Sequence, residues 1–313
     1  MSFSHDVKED ILKYNTDLES NLIELEGYLR NSYEVILGRP IKLSFSNTNM
    51  HILRYIISLI KKFYLDAQYV VSSKTQTKLK NQTFYVCEIT ENADTIIEDL
   101  CLLDPITIKK DEIIDNPKLI VAYLRGAFLA KGSVNNPITS NYHLEISTDK
   151  ETEALFMQRI MNYYQLNARI SKRRNNLIVY IKEKDMIVEF LRRIGANVSM
   201  NEFENIIIKR ELSANVNRLM NIDVANQQRT NKSAKEQLKY IKYIEYNYPL
   251  EKLDPKLLMV MKVRKENPEA SLTEMISIIN SIYDENITKS GLNHRFRKLK
   301  EIAIDFEARR NED

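Results

Sequence analysis

The chain has 313 residues, enough for two domains or more, and its 46 basic and 43 acidic side chains give a net charge of +3. The six glycines form no GxGxxG or GxxxxGK[ST] run, which excludes the common glycine-rich phosphate loops. Two cysteines, Cys87 and Cys101, are too few for a disulfide framework or a four-thiolate zinc site. No apolar signal core or run of about 18 apolar residues occurs, so we expect a cytoplasmic protein without membrane span or cofactor.

The near-neutral net charge hides an uneven distribution. Residues 1–37 and 88–116 are acidic, whereas residues 159–174, 205–242 and 288–300 each carry a net charge of +5. Separate basic patches on a nearly neutral chain predict contact with a polyanion at chosen places. Each patch alone is equally compatible with an ordinary solvated face.

The first 199 residues contain an internal repeat, with copies at about 1–105 and 106–199. Ser46 aligns with Ser147 at an offset of 101 residues. Each copy is predicted as a helix, two strands, a second helix, two strands and a short helix. The fold class is therefore α+β, with two αββαββα repeats related by a pseudo-twofold axis.

The first helix of the second copy is apolar on nearly all sides, so we expect it to be buried. Asn116-Pro117 supplies its N-cap and first turn, and Gly132 ends it. Gly126 and Ala130 lie on one face, where another helix can approach closely. Gly27 aligns with Gly126 at an offset of 99 residues, so the two equivalent helices are expected to pack together at the centre.

The stretch LRGAFLAKGS, residues 124–133, resembles the signature helix of LAGLIDADG homing endonucleases. The resemblance implies that an acid at the end of each signature helix binds divalent metal for DNA cleavage. The position that aligns with the acid is Lys131 in the second copy. In the first copy, the alignment of Gly27 with Gly126 places it at Ser32. Neither holds a hard cation as a carboxylate does, so we expect no metal and no enzyme. A working metal-dependent endonuclease is the alternative that these two positions disfavour.

Residues 200–250 contain no glycine and one proline near their end, and they are predicted to form a helical linker of one or two long helices. Leu212, Val216, Leu219 and Met220 recur there at helical spacing. The segment either only joins the domains or also contacts phosphate, through Arg218 among others.

Residues 251–313 are predicted to form an all-α helix-turn-helix domain. Ser271 and Glu274 form a capping box for one helix, and Thr288 is the expected N-cap of the next. In that last helix an apolar stripe is predicted from the spacing of Leu292, Phe296, Leu299 and Ala303. The polar side chains opposite the stripe suit hydrogen bonds to base edges or phosphates, although an ordinary charged face would look the same.

The predicted DNA-binding residues of this domain are Ser271, Lys289, Ser290, Gly291, Asn293, His294, Arg295, Arg297, Lys298 and Lys300. Of these, Ser290, Asn293, His294 and Arg297 are assigned to bases, and the lysines and Arg295 mainly to phosphates. Gly291 lowers helix stability, and either close approach of DNA or tight packing on the preceding helix would explain it.

From end to end the chain resembles the WhiA family of bacterial regulators. The resemblance is carried by FSHDVKEDI, RGAFLAKGSVNNP, NRLMNIDVAN, NKSAKEQLKYI and ITKSGLNHRFRKLKEIA. It departs from the family at Lys131, where a small residue is usual, and at Tyr33-Glu34, where the small-residue turn is missing.

The WhiA resemblance implies sequence-specific binding of double-stranded DNA at promoters and a role in cell division, chromosome segregation or sporulation. Other regulatory proteins are further expected partners, and the expected location is the nucleoid. The strand surface that contacts DNA in the nuclease family implies accessory phosphate contacts from Arg169, Lys172, Arg173 and Arg174. The alternative is an interaction or ligand-sensing scaffold in which DNA binding is secondary.

Overall fold

The computed structural model describes residues 2–76, 82–104, 110–139 and 141–310. The chain divides into two compact units, Met1–Arg210 and Glu211–Asp313. The first unit is α+β and the second is all helical, so the predicted fold class is confirmed.

The first unit contains the two predicted copies, which follow one another with the same order of elements. The elements of the first copy are α1 (Phe3–Ile11), α2 (Leu18–Arg30), β1 (Tyr33–Ile36), β2 (Lys42–Asn47), α3 (Met50–Phe63), β3 (Gln68–Gln76), β4 (Gln82–Glu91) and α4 (Ala93–Asp99). The elements of the second copy are α5 (Lys110–Ile114), α6 (Pro117–Lys131), β5 (Gly132–Val134), β6 (Leu144–Thr148), α7 (Glu151–Tyr163), β7 (Arg169–Arg173), β8 (Asn176–Ile181) and α8 (Lys184–Arg193). Helices α1 and α5 were not predicted.

Each copy folds its four strands into one antiparallel sheet with the same strand order. The orders are β1-β2-β4-β3 and β5-β6-β8-β7. Ser46 pairs with Val86 in the first sheet, and its repeat partner Ser147 pairs with Ile178 at the equivalent place in the second. The shared order and register confirm the αββαββα repeat.

Helices α2 and α6 cross with almost no space between their backbones. A Cβ atom added to Gly27 would lie 2.4 Å from the carbonyl oxygen of Tyr123, and one added to Gly126 would lie 2.0 Å from that of Glu24. Real Cβ atoms do not approach backbone atoms so closely, so both positions require glycine for steric reasons. The predicted packing of the two central helices is confirmed, and it is closest at the two aligned glycines.

Buried ion pairs surround this crossing. Arg125 of α6 donates from Nε to Oε2 of Glu24 on α2 at 3.1 Å. Arg30 of α2 donates to Glu26 at 2.7 Å and to Glu153 of α7 at 3.5 Å. All five side chains are buried, and removing one partner of such a pair leaves an uncompensated charge in the core. The network therefore holds the two copies in one arrangement.

One helix of 51 residues, α9 (Asn197–Asn247), follows the repeats. Its first turns bury Met200, Phe203 and Ile207 in the core of the first unit. Its last turns bury Ile241 and Ile244 in the core of the second. The segment that was predicted as one or two helices is thus a single helix.

The second unit completes its core with three further helices, α10 (Pro255–Glu266), α11 (Leu272–Tyr283) and α12 (Lys289–Arg310), after a short 3₁₀ turn at Leu250–Lys252. The predicted stripe of α12 is buried at Leu292, Phe296, Leu299 and Ala303. The helix-turn-helix pattern and its core are therefore confirmed.

We predict that Gly126→Ala destabilises the first unit by roughly 1–3 kcal/mol or more, because α2 and α6 must separate to admit one methyl group. Thermal and chemical unfolding of the full chain measure the effect. The matched control is Gly291→Ala in α12, where an added Cβ meets nothing closer than 3.4 Å. Equal stability of the Gly126→Ala variant and the wild type would refute the close crossing.

Candidate nucleic-acid interface

The start of α12 is fixed by its own turn. The backbone N–H of Gly291 donates to the hydroxyl of Thr288 at 3.2 Å, so the predicted N-cap is confirmed. In the preceding turn, the N–H of Ile287 donates to the side chain of Asn280 at 2.9 Å, and Asp284 takes a left-handed conformation with φ 50°. These contacts hold the loop between α11 and α12 in one shape.

Burial of the apolar stripe leaves the opposite face of α12 to solvent. Ser290, Asn293, His294, Arg297 and Lys298 are exposed. Together they present a hydroxyl, an amide, an imidazole, a guanidinium and an ammonium group on two turns of one helix. This set combines donors and acceptors that match base edges with cations that match phosphates.

The other basic side chains of α12 differ in their surroundings. Lys289 and Lys300 are exposed, and Nζ of Lys300 lies 5.6 Å from the ring centroid of Tyr240. Arg295 is largely covered, with 16% of its side chain exposed, and donates to Glu285 at 2.7 Å. Its charge is therefore partly neutralised by the turn, and it lies to one side of the outward face.

Gly291 has room for a side chain in this structure. An added Cβ would make only ordinary contacts, 3.4 Å from Thr288 Oγ1 and 3.5 Å from Ile287 Cγ1. Tight packing on the preceding helix therefore does not require glycine here, unlike at Gly27 and Gly126. The sequence analysis offered a second explanation for Gly291, which is that another molecule approaches α12 closely here, and this explanation remains.

Ser271 acts first as a cap of α11. Its hydroxyl accepts from the N–H of Glu274 at 3.2 Å, and the Glu274 carboxylate accepts from the N–H of Ser271 at 2.6 Å. Hydrogen bonding to Ser271, first from its backbone N–H, lowers the pKa of the Glu274 carboxyl from its usual value. The capping box is confirmed, and the Ser271 side chain is occupied by it.

Arg264 of α10 is a positioning residue that the sequence analysis missed. It is buried, donates to the carbonyl oxygens of Asn267 at 3.3 Å and Ala270 at 2.6 Å, and lies over the Phe296 ring at 5.6 Å. Burial lowers its pKa from the usual arginine value. It thus joins the loop before α11 to the buried stripe of α12. The signal in the sequence was its position: Arg264 follows Val260 by four residues and Met261 by three, which places it on the same side of the helix as these apolar residues.

In the first unit, the predicted accessory patch follows strand β7 and the turn after it. Arg169, Lys172, Arg173 and Arg174 are all exposed. Arg169 pairs with Tyr180 and Arg173 with Asn176, so the two arginines point to the same face of the sheet. Arg173 lies 3.9 Å from Glu145 at its closest ion-pair distance, which leaves most of its surface accessible. These residues form one basic edge of the sheet, with Arg169 and Arg173 on one face of strand β7, Lys172 on the other and Arg174 in the turn.

Arg218 belongs neither to the exposed face of α12 nor to the basic edge at β7, and lies on an exposed part of α9. Its Nε donates to the carbonyl oxygen of Ala214 one turn earlier, at 3.4 Å. The guanidinium therefore stays on the helix surface, where solvent or a phosphate can reach it.

Ser32 and Lys131, the two positions aligned with the nuclease acids, line one cavity of about 210 Å³ at the ends of α2 and α6. Ser32 donates to the carbonyl oxygen of Tyr28 at 2.8 Å. Lys150 also lines the cavity, with its Nζ 3.9 Å from the ring centroid of Tyr33. The repeat alignment thus identified two residues that the fold brings together.

The residues of this cavity do not fit a divalent metal. One helix ends in a hydroxyl and the other in an ammonium group, and hard cations require several oxygen ligands, carboxylates above all. The two carboxylates of the cavity lining, Glu34 and Asp149, are exposed and lie outside the helix ends. Across the described residues, no group of three or more His, Cys, Asp or Glu side chains has the geometry to hold a metal.

A second lysine lies at the same end of α6. Lys8 of α1 donates to the carbonyl oxygen of Leu129 at 3.2 Å, and its Nζ is 5.8 Å from the Phe128 ring. Burial and, to a smaller extent, the charge of Lys131 together lower the pKa of Lys8 to about 8. Ammonium groups therefore meet the negative C-terminal end of this helix dipole.

Within the part of the chain that the structure describes, no helix is both long enough and apolar enough to cross a membrane.

Comparison with protein families accounts for most of the chain. Residues 19–103 match the WhiA N-terminal LAGLIDADG-like domain, residues 120–213 the WhiA LAGLIDADG-like domain, and residues 216–303 the WhiA C-terminal HTH domain. A probable cell division protein WhiA from Lacticaseibacillus casei is 37% identical, with 98% of each chain covered. One from Enterococcus faecalis is 38% identical, with 97% of each covered.

Solved structures show the same relationship. The full-length DUF199/WhiA protein from Thermatoga maritima superposes with a TM-score of 0.60 at 28% identity, covering 98% of this chain and 99% of its own. The N-terminal LAGLIDADG domain of a DUF199/WhiA protein superposes with a TM-score of 0.50 at 24% identity, covering 62% of this chain and 90% of its own. The second likeness shows the fold of the repeats.

The lowered pKa of Lys8 predicts a stability that increases with pH. Between about pH 8 and 10.5 the unfolded lysine still binds a proton that the folded one has released, so the free energy of unfolding rises across this window. Below pH 8 the folded state bears the full cost of the buried ammonium. Lys8→Met keeps the apolar stem and removes the titration. We expect it to flatten the rise, by on the order of 3 kcal/mol at most, since one pKa unit corresponds to about 1.4 kcal/mol.

Denaturant unfolding of both proteins across this pH range measures the difference. The control is Lys13→Met, because Lys13 is exposed near the end of the same helix. A wild type and a Lys8→Met variant with the same pH dependence would show that Lys8 is solvated in the folded protein.

Proposed function

Since the chain belongs to the WhiA family, we propose that it is a sequence-specific DNA-binding regulator of transcription without enzymatic activity. The observation that carries this proposal is the exposed face of α12. Its polar and basic side chains project outward because the opposite stripe, at Leu292, Phe296, Leu299 and Ala303, is buried. A helix with this construction fits the major groove of B-DNA.

Within this proposal, Ser290, Asn293, His294 and Arg297 read base edges. Lys289, Lys298 and Lys300 hold phosphates and make binding depend on salt. Arg295 acts mainly through Glu285, since this carboxylate occupies its guanidinium. Ser271 contributes through the start of α11, and Gly291 lets the DNA backbone approach α12 without a side chain between them.

The basic edge of the first unit supplies a second, accessory contact with phosphates. Arg169, Lys172, Arg173 and Arg174 are exposed on one strand and its turn, and Arg218 adds an exposed guanidinium on α9. Such contacts raise affinity for any sequence. Residues 1–199 then serve as a scaffold, residues 200–250 as a helical linker and residues 251–313 as the reading domain.

The biological role proposed for the chain is control of genes for cell division and chromosome segregation, or for sporulation in a spore-forming organism. The support is the name of its relatives, which are probable cell division proteins at 37–38% identity over nearly the full chain. The expected partners are promoter DNA and other regulatory proteins, and the expected location is the nucleoid.

We predict that Arg297→Ala lowers affinity for the specific site by roughly 1–3 kcal/mol while leaving binding to random DNA nearly unchanged. Lys298→Ala is the matched control on the same exposed face. It should weaken both kinds of binding equally and reduce the salt dependence. Fluorescence anisotropy at one fixed salt concentration measures the six affinities of the wild type and both variants for the two DNAs, and repeating it at several salt concentrations measures the salt dependence. Equal losses on both DNAs for Arg297→Ala would argue against base readout.

The nuclease alternative makes a separate prediction. With Ser32 and Lys131 at the two helix ends, incubation of the full chain with Mg²⁺ and supercoiled plasmid should produce no nicked circles above buffer alone, because no carboxylate is held at either end. Gel electrophoresis of the plasmid measures this. Nicking by the wild type that Lys131→Ala abolishes would reverse the conclusion and make the centre catalytic.

A further inference from the structure

One face of α9, in its part that belongs to the second unit, carries a row of exposed lysines, which we name the lysine stripe. Its members are Lys232, Lys235, Lys239 and Lys242. At 100° per residue they fall within an arc of about 80°. The side of the helix opposite this arc buries Ala234, Ile241 and Ile244. Because that side is buried, the helix is fixed in rotation and the stripe faces outward.

The stripe lysines lack the acid partners that two other cations of the same unit have. Lys265 donates to Glu245 at 2.7 Å, and Arg295 donates to Glu285 at 2.7 Å. In the part of the chain that the structure describes, none of the four stripe lysines forms an ion pair. Like charges three and four residues apart on a helix repel each other, so the row destabilises the free helix. An anionic partner would remove this repulsion.

The charge and length of the stripe match a nucleic-acid backbone. Residues 232–242 carry four lysines and one acid, Glu236, which gives a net charge of +3. Glu236 is exposed and lies about 40° beyond Lys232, at the edge of the arc. The stripe is about 15 Å long at 1.5 Å per residue. This length spans roughly four to five successive phosphates of one strand of B-DNA.

The stripe adjoins a residue to which the proposed function gives a phosphate contact. Nζ of Lys300 on α12 lies 5.6 Å from the ring centroid of Tyr240 on α9. Further along, the ring of Phe306 on α12 lies 5.5 Å from that of Tyr248, the residue after α9. Both contacts advance along the two segments together, so α9 and α12 run in the same direction here. The turns of α9 before Tyr240, which carry most of the stripe, therefore lie toward the DNA-reading half of α12.

We propose that the lysine stripe binds the phosphate backbone of duplex DNA beside the bases that α12 contacts. This inference rests on the proposed function, because it takes α12 as the DNA-reading helix. It adds a second DNA-contacting surface to the second unit, and it requires that the bound duplex extend beyond the recognised bases. Contacts of this kind hold the duplex in register and carry no sequence information.

The first test compares the salt dependence of binding by the full chain to two duplexes. One ends at the recognised site, and the other extends about ten base pairs beyond each end, which is one helical turn. On the long duplex, Lys235→Gln combined with Lys239→Gln should reduce the slope of log K against log salt by roughly 2, since each lost phosphate contact removes about 0.9. On the short duplex this variant should match the wild type.

The matched control combines Lys256→Gln with Lys262→Gln, which removes the same charge from two exposed positions of α10. It should keep the wild-type slope on both duplexes. Lysine and glutamine have similar helix propensities, so all these substitutions should preserve the helices, and circular dichroism checks this.

The acid beside the stripe gives a prediction of opposite sign. Glu236→Gln should tighten binding to the long duplex, because it removes a negative charge that repels the phosphates. Glu251→Gln, which removes an exposed acid from the 3₁₀ turn, should leave the affinity unchanged.

The outcomes separate the stripe from the proposed function. If the wild type selects its site but the Lys235→Gln, Lys239→Gln variant keeps the wild-type slope on the long duplex, the stripe proposal is overturned and the function of α12 stands. Equal loss of slope on both duplexes, or no gain from Glu236→Gln, would also overturn it. A wild type that binds specific and random duplexes alike, with a slope that depends on the stripe, would support the stripe and contradict sequence selection by α12.

Discussion

The contact of α2 with α6 at Gly27 and Gly126 determines the rest of the first unit. With no side chain between the two backbones, the helices have only one way to pass each other at this point. The strands that follow each helix then form equivalent sheets, and the two helix ends come together in one cavity lined by Ser32 and Lys131. The two aligned glycines thus allow the equivalent helices of the two copies to meet at the pseudo-twofold axis.

Because α2 and α6 end at one cavity, the chemistry possible in that cavity depends on Ser32 and Lys131. A pair of carboxylates at these helix ends would form a natural oxygen-rich site for a cation, and the C-terminal helix dipoles would favour one. Here Lys131 and Lys8 bring ammonium groups to the end of α6 instead. The charge at this centre is therefore opposite in sign to that of a carboxylate pair, which supports the proposal of a protein without nuclease activity.

Local signals in the sequence predicted much of the molecule. The repeat was visible through Gly27 and Gly126, the caps Asn116 and Ser271 fixed helix starts, and the spacing from Leu292 to Ala303 gave the buried side of α12. Features that depend on distant contacts were not predictable. Arg264 is held in place by carbonyl oxygens of the next loop that accept its hydrogen bonds, and Lys8 by the carbonyl oxygen of Leu129 on α6, which is distant in sequence.

The central claim is that α12 selects DNA sequence through its outward face. Genome-wide mapping of bound DNA tests it most directly, with the wild type compared with a variant that combines Asn293→Ala, His294→Ala and Arg297→Ala. All three side chains are exposed, so the variant should fold and accumulate like the wild type. We predict discrete sites with a shared sequence for the wild type and their loss in the variant. Occupancy of the same sites at the same strength by both proteins would contradict the account.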